Sequence, residues 1–212
     1  RQNLLIVPLD DRRQWYRYHR LFADVLRSRL LAEPSIDVSA LHRRASTWFE
    51  QAGDTDASVR HAVAAGDLAR AADLVEIAAP ALRRQRNEGV IRGWIGVIPD
   101  DVVTRRPVLA GIFVAALMAD NEFTGVEKRL DDLEAVLAGP ADALVVRDRV
   151  EAARLPAVIA TQRAGLALVS GDLTATITDA HRAVALAGAD DLLTVAAARA
   201  LRGLASWASG DL

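Results

Sequence analysis

The sequence predicts a mainly α fold, an α-solenoid of helical hairpins preceded by a small β-hairpin and helix. Three observations carry this expectation. Forty-one of the 212 residues are alanine, nearly all of them after Asp56, and a run of small, strong helix formers suits closely packed helices. Gly-Asp-Leu recurs at 66–68, 171–173 and 210–212, each time after an alanine-rich stretch, and the last two copies lie 39 residues apart. The apolar period also changes once, near His19, from alternation to the helical repeat.

Taken in order, Asn3 to Leu9 is a short β-branched and aliphatic run, and Trp15 to His19 alternates aromatic and polar groups. With Asp10 to Gln14 as a polar turn between them, the two predict a hairpin. From His19, the residues Phe22, Val25, Leu26, Arg29 and Leu30 share one helical stripe, which Pro34 ends. Val38, Leu41, Ala45, Trp48, Phe49 and Ala52 predict the apolar face of the next helix, with Gly53 as its left-handed stop. A short helix from Asp56 to Ala65 follows, stopped by Gly66. Leu68, Ala71, Ala72 and Val75 begin another, which Pro80 is expected to break. Val90, Ile91, Trp94, Ile95 and Ile98 form an amphipathic piece before Pro99, and Pro107 suits the first position of a helix carrying Leu109, Ile112, Phe113, Ala116 and Leu117. In each Gly-Asp-Leu turn, glycine supplies the left-handed residue that ends one helix and aspartate accepts from the free amides of the next. Ala164, Leu168, Ala180 and Ala183 are slim enough for paired helices to approach closely.

Composition narrows the function. Cysteine is absent, which removes disulfides, thiolate metal sites and cysteine nucleophiles, and no apolar run approaches a membrane span. With no signal-peptide pattern, a cytoplasmic location is expected. The net charge of −2 offers nucleic acid no strong attraction. Charge is nonetheless uneven: residues 1–44 hold nine arginines against five acids, whereas residues 45–212 hold 17 basic groups against 23 acids. The basic end could meet a phosphate or an acidic partner domain, or merely solubilise one surface. The only lysine, Lys128, sits between Glu127 and Arg129, so a GxxxxGK[ST] phosphate loop is excluded. No GxSxG or HExxH is present, and paired acids such as Asp100-Asp101 and Asp190-Asp191 suit caps and solvated faces. The histidines His19, His42, His61 and His181 are scattered, the last three at plausible helix positions with structural or surface roles. No metal site, cofactor or catalytic centre is expected within the chain.

Residues 7–30 (VPLDDRRQWYRYHRLFADVLRSRL) and 41–76 (LHRRASTWFEQAGDTDASVRHAVAAGDLARAADLVE) resemble the MalT-like subgroup of LuxR-family transcriptional regulators, ATP-dependent proteins of the STAND class. The resemblance continues through Arg106-Pro107-Val108-Leu109, through Gln162-Arg163-Ala164 with Gly171-Asp172-Leu173, and through Arg202-Gly203-Leu204-Ala205. It implies the C-terminal part of a winged-helix domain at 1–32, a helical arm at 33–105 and an incomplete tetratricopeptide-like sensor domain at 106–212. The family places a nucleotide-binding domain before these parts and a DNA-binding helix-turn-helix after them. The chain, beginning without Met and stopping at Gly210-Asp211-Leu212, is therefore expected to be a piece of a longer protein. ATP and ADP belong to the parent protein, and DNA is reached only through the absent helix-turn-helix.

Tyr18-His19-Arg20 stands where related signalling ATPases carry Met-His-Asp, whose histidine contacts the β-phosphate of ADP; only His19 matches. The resemblance thus implies a nucleotide-sensing role for His19, against the simpler alternative that its side chain caps the following helix. The expected partners are an inducer, small molecule or protein, the upstream nucleotide-binding domain, and other copies of the protein. Trp94 and Trp207 are aromatic candidates for the inducer site, although the helical spacing equally suits core positions. The rival reading is a tetratricopeptide-type scaffold for protein partners with no ATPase attached.

Overall fold

The computed structural model describes residues 5–11, 16–140 and 144–210. Two short antiparallel strands, β1 (Ile6–Pro8) and β2 (Tyr16–Tyr18), pair Ile6 with Tyr18 and Pro8 with Tyr16. The Asp10 to Gln14 turn falls largely outside the described residues. Helix α1 (Arg20–Leu31) follows, and ten more succeed it: α2 (Val38–Gln51), α3 (Thr55–Ala64), α4 (Leu68–Arg84), α5 (Glu88–Ile95), α6 (Asp100–Thr104), α7 (Pro107–Ala119), α8 (Val126–Ala138), α9 (Arg149–Ser170), α10 (Leu173–Leu186) and α11 (Leu192–Ser209). The chain is mostly helical with one small sheet, as its composition predicts.

The Gly-Asp turns form as their chemistry requires. Gly53, Gly66 and Gly171 have φ of +80°, +72° and +83°, the region that only glycine enters without strain. Asp54, Asp67 and Asp172 then accept from the amides of Ala57, Arg70 and Ala175 at 2.9, 3.1 and 2.9 Å, capping α3, α4 and α10. Gly53-Asp54 is thus a further copy of the turn, without the leucine.

Three apolar clusters run in sequence order and share helices. The first joins Val59 of α3, Leu74 and Val75 of α4, Ile91 and Trp94 of α5, Val103 of α6 and Leu109 of α7. The second joins Val114 of α7, Leu130 and Leu133 of α8 and Ile159 of α9. The third is built of alanines, Ala160 and Ala164 of α9, Ala180 and Ala183 of α10 and Ala198 of α11, so the small residues do set the close approach there. Helix α7 carries buried residues all round, Val108, Leu109, Gly111, Val114 and Ala116, rather than on the single stripe its periodicity predicts. At Gly111 an added Cβ would stand 2.7 Å from the Leu155 Cδ2 atom of α9, so a larger residue there would require the Leu155 side chain to shift.

Two expectations fail locally. Pro80 does not end α4, which continues to Arg84. Its ring forfeits one backbone hydrogen bond, but Leu74, Val75 and Ala79 lie in the first cluster and hold the helix by burial. The inner line of α2 is not Leu41 and Trp48, which are 42% and 51% exposed. It is partly polar: Ser46 is fully buried against Ser58 of α3, and Arg70 of α4 donates from Nε to the Ser46 hydroxyl at 2.9 Å and from its terminal nitrogen to Glu50 at 2.6 Å. That network ties three helices without the apolar signature on which period reading depends. Helix α1 forms ahead of Pro34 as its stripe predicts, but that stripe is largely uncovered, with Val25 63% exposed, and no described residue from 5 to 37 is buried.

A buried charge cluster joins α4 to the start of α7. The Arg106 side chain, 6% exposed, donates to Asp73 at 2.8 Å, to Glu76 at 3.2 Å and to the Ala69 carbonyl at 3.2 Å. Arg147, in the loop before α9, meets the other Asp73 oxygen at 2.7 Å. Burial pushes the Glu76 carboxyl up, and Arg106 opposes that shift.

Candidate functional site

The backbone places His19 between β2 and α1. Its amide donates to the Leu5 carbonyl at 2.8 Å, extending the ladder by one bond, and its carbonyl accepts from Ala23 at 2.9 Å, opening the helix. Tyr18 packs edge-on against Phe22 at 5.4 Å and so fixes α1 on the hairpin. The imidazole makes no capping hydrogen bond, so the simpler alternative of a side-chain cap is not what the structure contains. Instead His19 lines an open recess with Tyr16, Arg17, Tyr18, Arg20 and Arg27. Arg20, Ala23 and Arg27 fall on one stripe of α1, which brings the two arginines to the same wall. Arg27 pairs with Asp24 at 3.2 Å, while Arg17 and Arg20 have no acidic partner among the described residues. Three of the nine arginines of residues 1–44 thus line one concave surface. Such a surface attracts a phosphate or carboxylate, with Arg supplying fixed charge and forked donors.

The other histidines are less scattered than their sequence positions indicate. His42 and His61 face each other across α2 and α3 with Nδ1 atoms 2.8 Å apart, and Phe49 stacks on His61 at 5.3 Å. Because two protonated nitrogens cannot share that contact, at least one ring is neutral. The His61 imidazole is held below the usual histidine range by burial first, then by His42 and Arg60. Acidification is therefore expected to destabilise the α2–α3 pair. Above the ordinary histidine value both folded and unfolded rings are neutral and stability is full; as pH falls through about 6.5 the unfolded ring takes its proton first and stability declines. Denaturation of the wild type and His61→Gln between pH 7.5 and 5 checks this, with the decline shallower in the variant. No group of three or more metal-ligating side chains occurs among the described residues.

His181 meets Arg202 at 3.2 Å across α10 and α11. Trp94 is core, 7% exposed, with its indole N–H on Asp56 at 2.8 Å, whereas Trp207 is 69% exposed on α11. Sequence reading missed the His42–His61 pair and the Arg106 cluster. The first had a signal, since the two histidines flank the Gly53-Asp54 turn at comparable distances and a helical hairpin must bring them together.

Comparison with known proteins bears on the same end of the molecule. Residues 1–37 match the family model of the MalT winged helix domain, which spans the hairpin, α1 and the linker to the cap of α2. The chain is 39% identical over 105 residues to the serine/threonine-protein kinase PknK of Mycobacterium tuberculosis, covering 50% of this chain and 10% of the kinase. It is 26% identical over 134 residues to the HTH-type transcriptional regulator MalT of Yersinia pestis, covering 63% of this chain and 15% of the regulator. These likenesses relate the N-terminal end of the chain to the MalT winged helix and the chain more distantly to MalT-type regulators. The chain spans only about a tenth to a seventh of the length of these relatives. No solved structure matches the chain. No helix among the described residues is long and apolar enough to cross a membrane.

Proposed function

We propose that the chain is the inducer-sensing and signal-coupling region of an ATP-dependent, LuxR-family regulator of the MalT-like, STAND type. The observation that carries this reading is the winged-helix match at residues 1–37 running directly into a helical body. In it, the hairpin and α1 complete a winged-helix domain, and the exposed α1 stripe is the surface that the rest of that domain covers. Helices α2 to α6 act as the arm, and the helices from Pro107 begin a tetratricopeptide-like solenoid that receives the inducer. The chain itself has no catalytic role; nucleotide is bound by the parent's ATPase module in the cytoplasm, and output follows through nucleotide exchange and self-association. An inducer works here only by binding one arrangement of sensor and ATPase more tightly than the other.

His19 is the proposed nucleotide-sensing residue, and its position in an arginine-lined recess, with an imidazole not spent on capping, supports that role. In the full-length protein, His19→Ala is expected to release ADP about tenfold faster, the loss of one charge-assisted phosphate contact. Unchanged ADP retention together with unchanged basal output would overturn the assignment.

The kinase relatives favour a second reading of the output alone. With 39% identity to PknK, the same coupling region could serve a protein kinase instead of a DNA-binding domain. The reading frame of the parent gene decides between them: a downstream helix-turn-helix marks the first and a kinase domain the second.

A further inference from the structure

We infer that the groove between α10 and α11 is a binding site for a small phosphorylated molecule. It is lined by His181, Val184 and Ala185 of α10 and by Arg199 and Arg202 of α11, around an open volume of about 590 Å³, enough for a metabolite-sized ligand. Arg199 and Arg202 stand one turn apart on the same face, so their guanidinium groups reach the same space.

The charge balance of this groove departs from that of its surroundings. Residues 45–212 carry a net acidic excess, and four arginines of α8, α9 and α10 are paired with it: Arg129 with Asp100, Arg154 with Asp190, Arg163 with Asp131, Arg182 with Glu134. Arg199 and Arg202 have no acidic partner among the described residues, and α11 contains no acid. The one acid of α10, Asp179, is two residues from His181 and so lies roughly 160° round the helix. At the start of α11, Asp191 is buried, one of its oxygens accepting from the Thr194 amide at 3.3 Å and the other without a partner.

What Arg202 does meet is an acceptor of the wrong strength. Arginine has donors only, so the 3.2 Å contact requires His181 Nε2 to be unprotonated and accepting. A neutral imidazole is a modest partner for a guanidinium, and a phosphate oxygen is a better one. Two fixed positive charges match the charge of a phosphomonoester, near −2 at neutral pH, and Val184 and Ala185 offer an apolar floor for the group it is attached to. The site differs from the His19 recess in location and does not depend on the coupling role proposed above.

The test is titration of this 212-residue chain with glycerol 3-phosphate, with sodium chloride at matched ionic strength as the control, followed by the NMR resonances of the His181 ring. The expected result is a saturable shift with the phosphate and none with chloride, weakened at least about tenfold in Arg199→Ala/Arg202→Ala. Arg182→Ala, which removes a nearby arginine already paired with Glu134, should leave the affinity unchanged. Both arginines of the groove are exposed and neither is held by an acid among the described residues, so the double variant should retain the wild-type circular dichroism spectrum. A shift that is not saturable, is equal in chloride, or survives in the double variant overturns the site.

Discussion

Arg106→Ala is expected to destabilise the chain by about 3–5 kcal/mol, the usual consequence of removing one partner from a buried ion pair. Arg106 and Glu76 are 6% and 5% exposed, so truncation leaves the Glu76 carboxylate buried without its counter-charge. For a chain of this size that loss lowers the midpoint of thermal unfolding by on the order of 10 °C. The deficit has a definite pH dependence. Burial already pushes the Glu76 carboxyl up and Arg106 is the largest opposing influence, so in the variant the carboxyl rises further. At low pH the carboxyl is protonated in wild type and variant alike and this part of the deficit vanishes; it grows as pH rises past the raised carboxyl value of the folded wild type. Adding Glu76→Gln to Arg106→Ala should restore part of the stability at pH 8, since a neutral amide is easier to bury than a lone carboxylate. Equal stability of Arg106→Ala and wild type across pH 5–8 would show that the cluster contributes nothing.

Leu109→Ala should cost about 2–5 kcal/mol, because Leu109 is fully buried where α7 meets α4 and α5, and packing from both sides prevents collapse of the cavity. The comparison is Leu193→Ala on α11. Leu193 is 74% exposed, and its truncation should change stability by less than about 0.5 kcal/mol. Urea denaturation of the two variants checks the contrast; similar losses would mean that the core does not run through α7 as described.

Features set by local chemistry were legible in the sequence. Left-handed glycine followed by a capping aspartate is a property of two adjacent residues, and the turns at 66–67 and 171–172 form where Gly-Asp stands. Pro107 likewise needs only its own ring to open α7. What depends on partners distant in sequence was not legible. Pro80 is carried through α4 by burial against α3, α5 and α7, a gain that propensity does not contain. The inner face of α2 is partly serine, and its partners Ser58 and Arg70 lie 12 and 24 residues away. Arg106 reaches Asp73 and Glu76 across 33 and 30 residues, so no sequence window holds the cluster. At the candidate site, sequence brought out His19 and the basic excess around it; the structure adds that Arg17, Arg20 and Arg27 share its recess. At the other end, His181 drew attention only as a helix residue, and its meeting with Arg202 depends on how α10 packs on α11.

In the proposed function, the hairpin and α1 transmit the parent's nucleotide state into the helical body. Hydrogen–deuterium exchange on the full-length protein, loaded with ADP and then with a non-hydrolysable ATP analogue, tests it most directly. The expected result is altered protection in α1 (Arg20–Leu31) that extends beyond Pro34 into α2 and α4. Identical exchange of α1, α2 and α4 in the two nucleotide states would contradict it.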